Sequence, residues 1–146
     1  MNFLSMTSDE HITSVLAVRK EEWEGSWSLL MVTKNGVIKK SDASAFRDVR
    51  RSGLIALTLK DGDALISAKF VGDKDEISLV SHNGQAIRFM ESDVRQMGRT
   101  ASGVTGMKLK KDDHIVSADI LTKEDKDNLI LVVTENGYGK PTPAKE

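Results

Sequence analysis

The chain has 146 residues, 21 Lys and Arg against 22 Asp and Glu, a formal net charge of −1 and no cysteine. The lack of thiols excludes a disulfide framework and any thiolate metal site. No N-terminal apolar run resembles a signal peptide or a membrane span, so a cytoplasmic setting is expected.

The elements read as β throughout. Asn2-Phe3-Leu4-Ser5-Met6 lines up at an offset of 53 with Ile55-Ala56-Leu57-Thr58-Leu59, so the chain is expected to open on the last strand of a preceding unit. Ser28 to Thr33 is short and rich in branched apolar residues, and it runs into Asn35-Gly36. That dipeptide is the strongest short-range hairpin signal, because a type I′ turn needs positive φ at both central positions. Val37 to Lys40 forms the return strand, and Ser44-Ala45-Phe46-Arg47 is expected to make one helical turn with Ser44 as its cap. A basic loop, Arg50-Arg51-Ser52-Gly53, then leads to a strand over 54–59, a turn at Asp61-Gly62 and a strand over 64–71.

The series then recurs. Glu76 to Ser81, Asn83-Gly84 and Gln85 to Phe89 form a second hairpin, and Ser92-Asp93-Val94-Arg95 a second capped turn. A loop from Gly98 to Gly103 follows, then strands over 104–109 and 114–121 around Asp112-Asp113. Asn128 to Val133 with Asn136-Gly137 begins a third hairpin. Ser52 to Lys60 and Ser102 to Lys110 match without a gap, 50 positions apart. Some four strands per unit of that length point to an all-β, propeller-like array of blades. The expected units are 1–8 as the end strand of a preceding blade, 9–61 and 62–111 as complete blades, and 112–146 as a truncated blade. Partial blades at both ends expose strand edges and favour self-association.

A near-neutral total charge argues against a nucleic-acid binder, but the charge is not evenly spread. Residues 34–60 carry +5, 61–78 carry −3, 84–111 carry +4 and 112–128 carry −4. An alternation in phase with the repeat would align the basic halves of neighbouring units into one stripe, which suits a polyanion. Aligning Gly36 with Gly84 pairs Lys40 with Arg88, Arg47 with Arg95 and Arg51 with Arg99. Lys140 aligns with Lys39, but Pro141 stands where Lys40 and Arg88 stood, which weakens the third site. The candidate phosphate-binding set is Lys39, Lys40, Arg47, Arg50, Arg51, Arg88, Arg95, Arg99 and Lys140. The competing reading pairs each arginine with a nearby carboxylate on a solvated surface.

Val132-Val133-Thr134-Glu135-Asn136-Gly137-Tyr138-Gly139-Lys140, Ser92 to Arg99, Met31 to Lys40 and Gly53 to Leu57 together resemble the C-terminal domain of bacterial DNA gyrase A. The resemblance implies a β-pinwheel, a propeller-like fold with swapped strand order, and a basic rim around which double-stranded DNA bends. It also implies the remainder of gyrase A and its companion gyrase B as partners, and no cofactor or catalytic residue in this piece. The gyrase type of this domain carries a box of a glutamine, two arginines, paired glycines, a lysine and a glycine. No such box occurs here, and repeat alignment places its counterpart upstream of Met1. The corresponding domain of topoisomerase IV is the near alternative within the family.

Other candidates carry less chemistry. His11 and His114 occupy equivalent repeat positions and His82 precedes a turn, without metal-ligand spacing. Tyr138 is expected to pack on its hairpin, and Asp61-Gly62-Asp63 lacks the further ligands of a calcium loop. Trp23 and Trp27 flank acidic residues; they cover the end of a blade or mark a patch for a protein partner. A protein-interaction propeller fragment, contacted at those tryptophans or at open strand edges, is thus the alternative to a DNA-bending module.

Overall fold

The computed structural model of the chain describes residues 6–18, 25–48 and 53–145. Among them are nine strands: β1 (Ser28–Thr33), β2 (Val37–Asp42), β3 (Leu65–Val71), β4 (Glu76–Ser81), β5 (Ala86–Met90), β6 (Val104–Thr105), β7 (Ile115–Leu121), β8 (Leu129–Val133) and β9 (Gly139–Pro143). Short 3₁₀ turns occupy Ala43–Phe46, Glu91–Asp93 and Lys123–Asp127. The strands form three sheets, in the orders β3-β1-β2-β6, β5-β4-β7 and β8-β9.

All three hairpins form, but not with the expected turn. The Gly36 amide donates to the Thr33 carbonyl at 3.1 Å, Gly84 to Ser81 at 3.0 Å and Gly137 to Thr134 at 2.9 Å. Only the glycine of each Asn-Gly has positive φ, 80° at Gly36. The asparagine therefore closes a three-residue loop whose last residue is left-handed, rather than sharing a two-residue type I′ turn. The caps differ too. Asp42 Oδ1, not Ser44, accepts the Ser44 amide at 2.8 Å, and Asp93 Oδ2 accepts the Met90 amide at 3.1 Å.

The sheets cut across the sequence repeat. In the first, β1 pairs β2 with Leu30 opposite Lys40, and its other edge takes β3 with Leu30 opposite Lys69. The second repeats this, with Ser78 opposite Arg88 on β5 and Asp119 on β7. β3 and β7 meet through the Lys69–Asp119 ion pair, on the edges of the two sheets away from β2 and β5. The outer edge of β2 is completed from a later repeat, by β6. The strand expected over 104–109 is thus only two residues long and belongs to the preceding sheet, while 53–60 forms no strand among the described residues. Gly103 makes the swap possible: φ is +89°, and a Cβ there would lie 2.5 Å from the Ile38 carbonyl oxygen.

Burial follows from this arrangement. Leu30 to Thr33 are all buried, as a continuous apolar run covered on both faces should be. Ile38, Val71, Leu79, Val94, Met107 and Ile115 join the two large sheets into one core. At about 25 cal/mol per Å² of apolar surface, that shared core supplies most of the driving force for docking one blade on the next.

Candidate nucleic-acid interface

The segment from Glu91 to Gly103 leaves the second sheet after β5 and runs along the outer edge of the first. Val94 plugs it into the core at 2% exposure. Gln96 bridges in parallel with Lys40, the Met97 amide donates to the Lys40 carbonyl at 2.8 Å, and Gln96 Nε2 donates to Asp42 Oδ2 at 3.2 Å. These bonds fix the backbone while Arg95 and Arg99 remain exposed. Arg47, one repeat earlier, is likewise exposed directly after its 3₁₀ turn. Lys140 is exposed on β9, and Arg50 and Arg51 lie outside the described residues.

Three of the nine candidate cations have other partners, which corrects the sequence reading of them as rim groups. Lys39 is fully buried. Its Nζ donates to the Ala56 carbonyl at 2.6 Å and to the Arg99 carbonyl, tying two successive outer segments to β2. Burial, with the Arg99 guanidinium second, holds its ammonium below the usual lysine range. Lys40 Nζ donates to the Glu91 carbonyl at 2.9 Å and pairs with the Glu91 carboxylate. Arg88, its repeat counterpart, pairs with Glu76 Oε2 at 2.8 Å and donates through Nη1 to the Ala144 carbonyl. Lys40 and Arg88 thus each reach from one hairpin to the residue that ends the next.

Phase with the repeat therefore has two causes: Lys40 and Arg88 recur because they join blades, whereas Arg47 and Arg95 recur in solvent. Sequence reasoning missed Glu91 and Glu76 as partners. Nothing in their spacing marks them, since the third hairpin offers the Ala144 carbonyl at the place of Glu91.

Elsewhere, Trp27 is 37% exposed with its ring over Gly72, where a Cβ would meet Cζ3 at 3.1 Å. Trp23 lies outside the described residues. Tyr138 is 79% exposed and does not pack as expected. The His82 and His114 rings stack at 4.8 Å. Asp63 Oδ1 accepts the Asn35 amide at 2.9 Å and so works as a turn carboxylate. No helix among the described residues is long and apolar enough to cross a membrane.

Antiparallel sheets repeated along the chain, the first taking its outer strand β6 from the following repeat, define an all-β array of the β-pinwheel type, and the solved structures it resembles agree. The C-terminal domain of DNA topoisomerase IV superimposes with a TM-score of 0.86 at 33% identity, covering 98% of this chain and 43% of that one. A DNA gyrase A C-terminal domain gives 0.72 at 34% identity, over 82% of this chain and 39% of that one. The profile of the DNA gyrase C-terminal domain, beta-propeller family, matches residues 28–71, 75–122 and 128–146. The chain belongs to that family. It is 44% identical over all 146 residues to DNA gyrase A of Salmonella typhimurium and 38% identical to that of Staphylococcus epidermidis. It spans 16% of the length of each.

Proposed function

We propose that this chain is a non-catalytic module that binds and bends duplex DNA in support of supercoiling by a gyrase-type, ATP-dependent type II topoisomerase in the cytoplasm. The rest of gyrase A, together with gyrase B, would be its partners there. The observation that carries the reading is the outer crossover, a backbone held against β2 by its own hydrogen bonds and presenting Arg95 and Arg99 to solvent. Arg47 occupies the matching place one repeat earlier, and Arg50 and Arg51 continue the same loop in sequence. Lys140 would add a weaker contact on the third hairpin.

Guanidinium groups on a fixed outer backbone bind phosphates through charge and paired donors, and carry no base readout. Each phosphate neutralised releases counterions, so affinity should fall steeply with salt and depend little on sequence. Titration of long duplex DNA at two salt concentrations tests this. Arg51→Glu with Arg99→Glu should weaken binding more than Lys20→Glu with Lys123→Glu, whose positions lie in acidic segments. Equal losses from the two pairs would remove the case for the outer crossovers.

A further inference from the structure

Lys39 and Thr58 fasten the outer crossover to the outer segment of the preceding repeat at two consecutive carbonyls. Lys39 Nζ donates to the Arg99 carbonyl and, at 2.6 Å, to the Ala56 carbonyl. One residue further along the crossover, the Thr100 carbonyl accepts Thr58 Oγ1 at 2.9 Å. Ala56 and Thr58 belong to the segment 53–60 that leaves the Arg50-Arg51-Ser52-Gly53 loop, and Arg99 and Thr100 belong to the loop that is its counterpart in the next repeat. The two arginine-bearing loops are therefore tied to each other, and not only each to its own sheet.

The tie is stiff for a physical reason. Lys39 is fully buried on β2, and β2 is held by β1 on one side and β6 on the other. An ammonium so placed cannot swing into water, and a charged donor shielded from solvent bonds a carbonyl more strongly than an exposed one does. The Gln96 bridge to Lys40 and the Met97 amide bond pin the same crossover just before Arg99. The repeat does not supply this arrangement by itself: Ile87 stands at the counterpart of Lys39 and Lys108 at that of Thr58. An isoleucine has no donor, so the second hairpin cannot make the ammonium bonds of the first.

We propose that Lys39 and Thr58 are positioning residues that lock the spacing of two successive arginine loops, so that duplex DNA touching both is held bent; this rests on the reading of the outer crossovers as a duplex-binding surface. Phosphates are regularly spaced along a duplex, and bending it stores elastic energy that a yielding frame would release. A bend is thus imposed only by cations whose separation is fixed. Lys39 is buried and Thr58 spends its hydroxyl proton on Thr100, so both act through the loops they join. Their loss leaves the phosphate contacts in number as they were but lets the loops drift, and affinity falls through lost preorganisation with no change in counterion release.

The chain has no cysteine of its own, so spin labels at Ile55→Cys and Ser102→Cys, both exposed, sit only there. In the labelled chain without DNA the distance distribution should be narrow, broader in Thr58→Val and broadest in Lys39→Met. Thr58→Val removes one hydroxyl from an exposed side chain and keeps the fold, whatever Lys39→Met costs in stability. Thr58→Ser, which retains the donor, should match the parent. Lys39→Met should lower affinity for long duplex by about tenfold with the log–log salt slope unchanged, and lower energy transfer between the ends of a dye-labelled duplex. Thr58→Val should move both in the same direction by less.

Distances as narrow in Thr58→Val and Lys39→Met as in the parent would overturn the proposal. So would a salt slope that flattens along with affinity, since that marks a lost phosphate contact instead of a lost spacing. A parent chain with narrow distances and no affinity for duplex would overturn the DNA-binding reading and the proposal together. Because the labels report without DNA, the two failures are told apart.

Discussion

Lys40 and Glu91 join the first hairpin to the end of the second, their side chains only 10% and 14% exposed. The ammonium also satisfies the Glu91 carbonyl at 2.9 Å, so one cation holds both the side chain and the backbone of the neighbouring blade. Removing it strands a shielded carboxylate. Lys40→Ala should destabilise the chain by roughly 3 kcal/mol, the range for breaking one side of a shielded pair. Urea unfolding of Lys40→Ala, Glu91→Ala and the double variant checks this; the double variant should lose less than the sum of the two single ones.

Lys39 and Arg99 separate two uses of positive charge. Lys39→Met leaves the Ala56 and Arg99 carbonyls without their donor and should cost about 2 kcal/mol of stability. The salt dependence of duplex binding should stay as it was. Arg95→Ala and Arg99→Ala should leave stability nearly unchanged and flatten the log–log salt slope by roughly 0.9 for each phosphate contact removed. Urea curves and salt titrations on the same three proteins would show whether the two effects separate.

Two glycines at equivalent positions should respond differently. Gly103 and Gly53 have φ of +89° and +75°, but only at Gly103 would a Cβ strike the chain, at the Ile38 carbonyl oxygen. Gly53→Ala should cost about 1 kcal/mol from the left-handed backbone alone, and Gly103→Ala at least about 2 kcal/mol. Thermal melts of the two variants give the comparison.

Asp42 accepts the Ser44 amide and the Gln96 side chain, and the bonds from Ser44 hold its carboxyl below the usual aspartate range. As pH falls, the unfolded chain therefore takes up this proton first. The stabilisation is complete above about 3.9, the ordinary aspartate value, and is lost as pH drops through the lower folded value. Asp42→Ala should cost about 1 kcal/mol at neutral pH, as loss of a helix cap does. The gap between variant and parent should close below the ordinary aspartate value, as read from unfolding midpoints over an acid series.

The hairpins were legible because Asn-Gly follows each apolar run, and the strands at 28–33, 76–81 and 129–133 fall where that pattern puts them. The turn geometry was not, because a three-residue loop and a two-residue turn use the same dipeptide one position apart. Pairing across repeats was also hidden: Ser102 to Lys110 looks like Ser52 to Lys60 whichever sheet receives it, and only the clearance at Gly103 and the Ile38 carbonyl shows the destination. For the basic positions, periodicity located Arg47 and Arg95 but could not tell them from Lys40 and Arg88, because a cation bound to a carbonyl in the next blade recurs with the same period as one in solvent. The burial of Lys39 was not legible either, because it sits in the polar run Lys39-Lys40-Ser41-Asp42, and only the structure shows Ile38 and Ser41 buried on the two faces beside it.

The first sheet draws β1 from residue 28 and β6 from residue 105, with the whole β4–β5 hairpin synthesised in between. During translation that blade must wait with an open flank until the crossover emerges, so nascent intermediates should be long-lived and sticky, and the rate of folding limited by distant closures rather than by hairpin formation. Once complete, the interlock works in the opposite sense: a single cut between Glu91 and Gly103 would leave the two halves held together by β6 and β7, which the later half adds to the sheets of the earlier one.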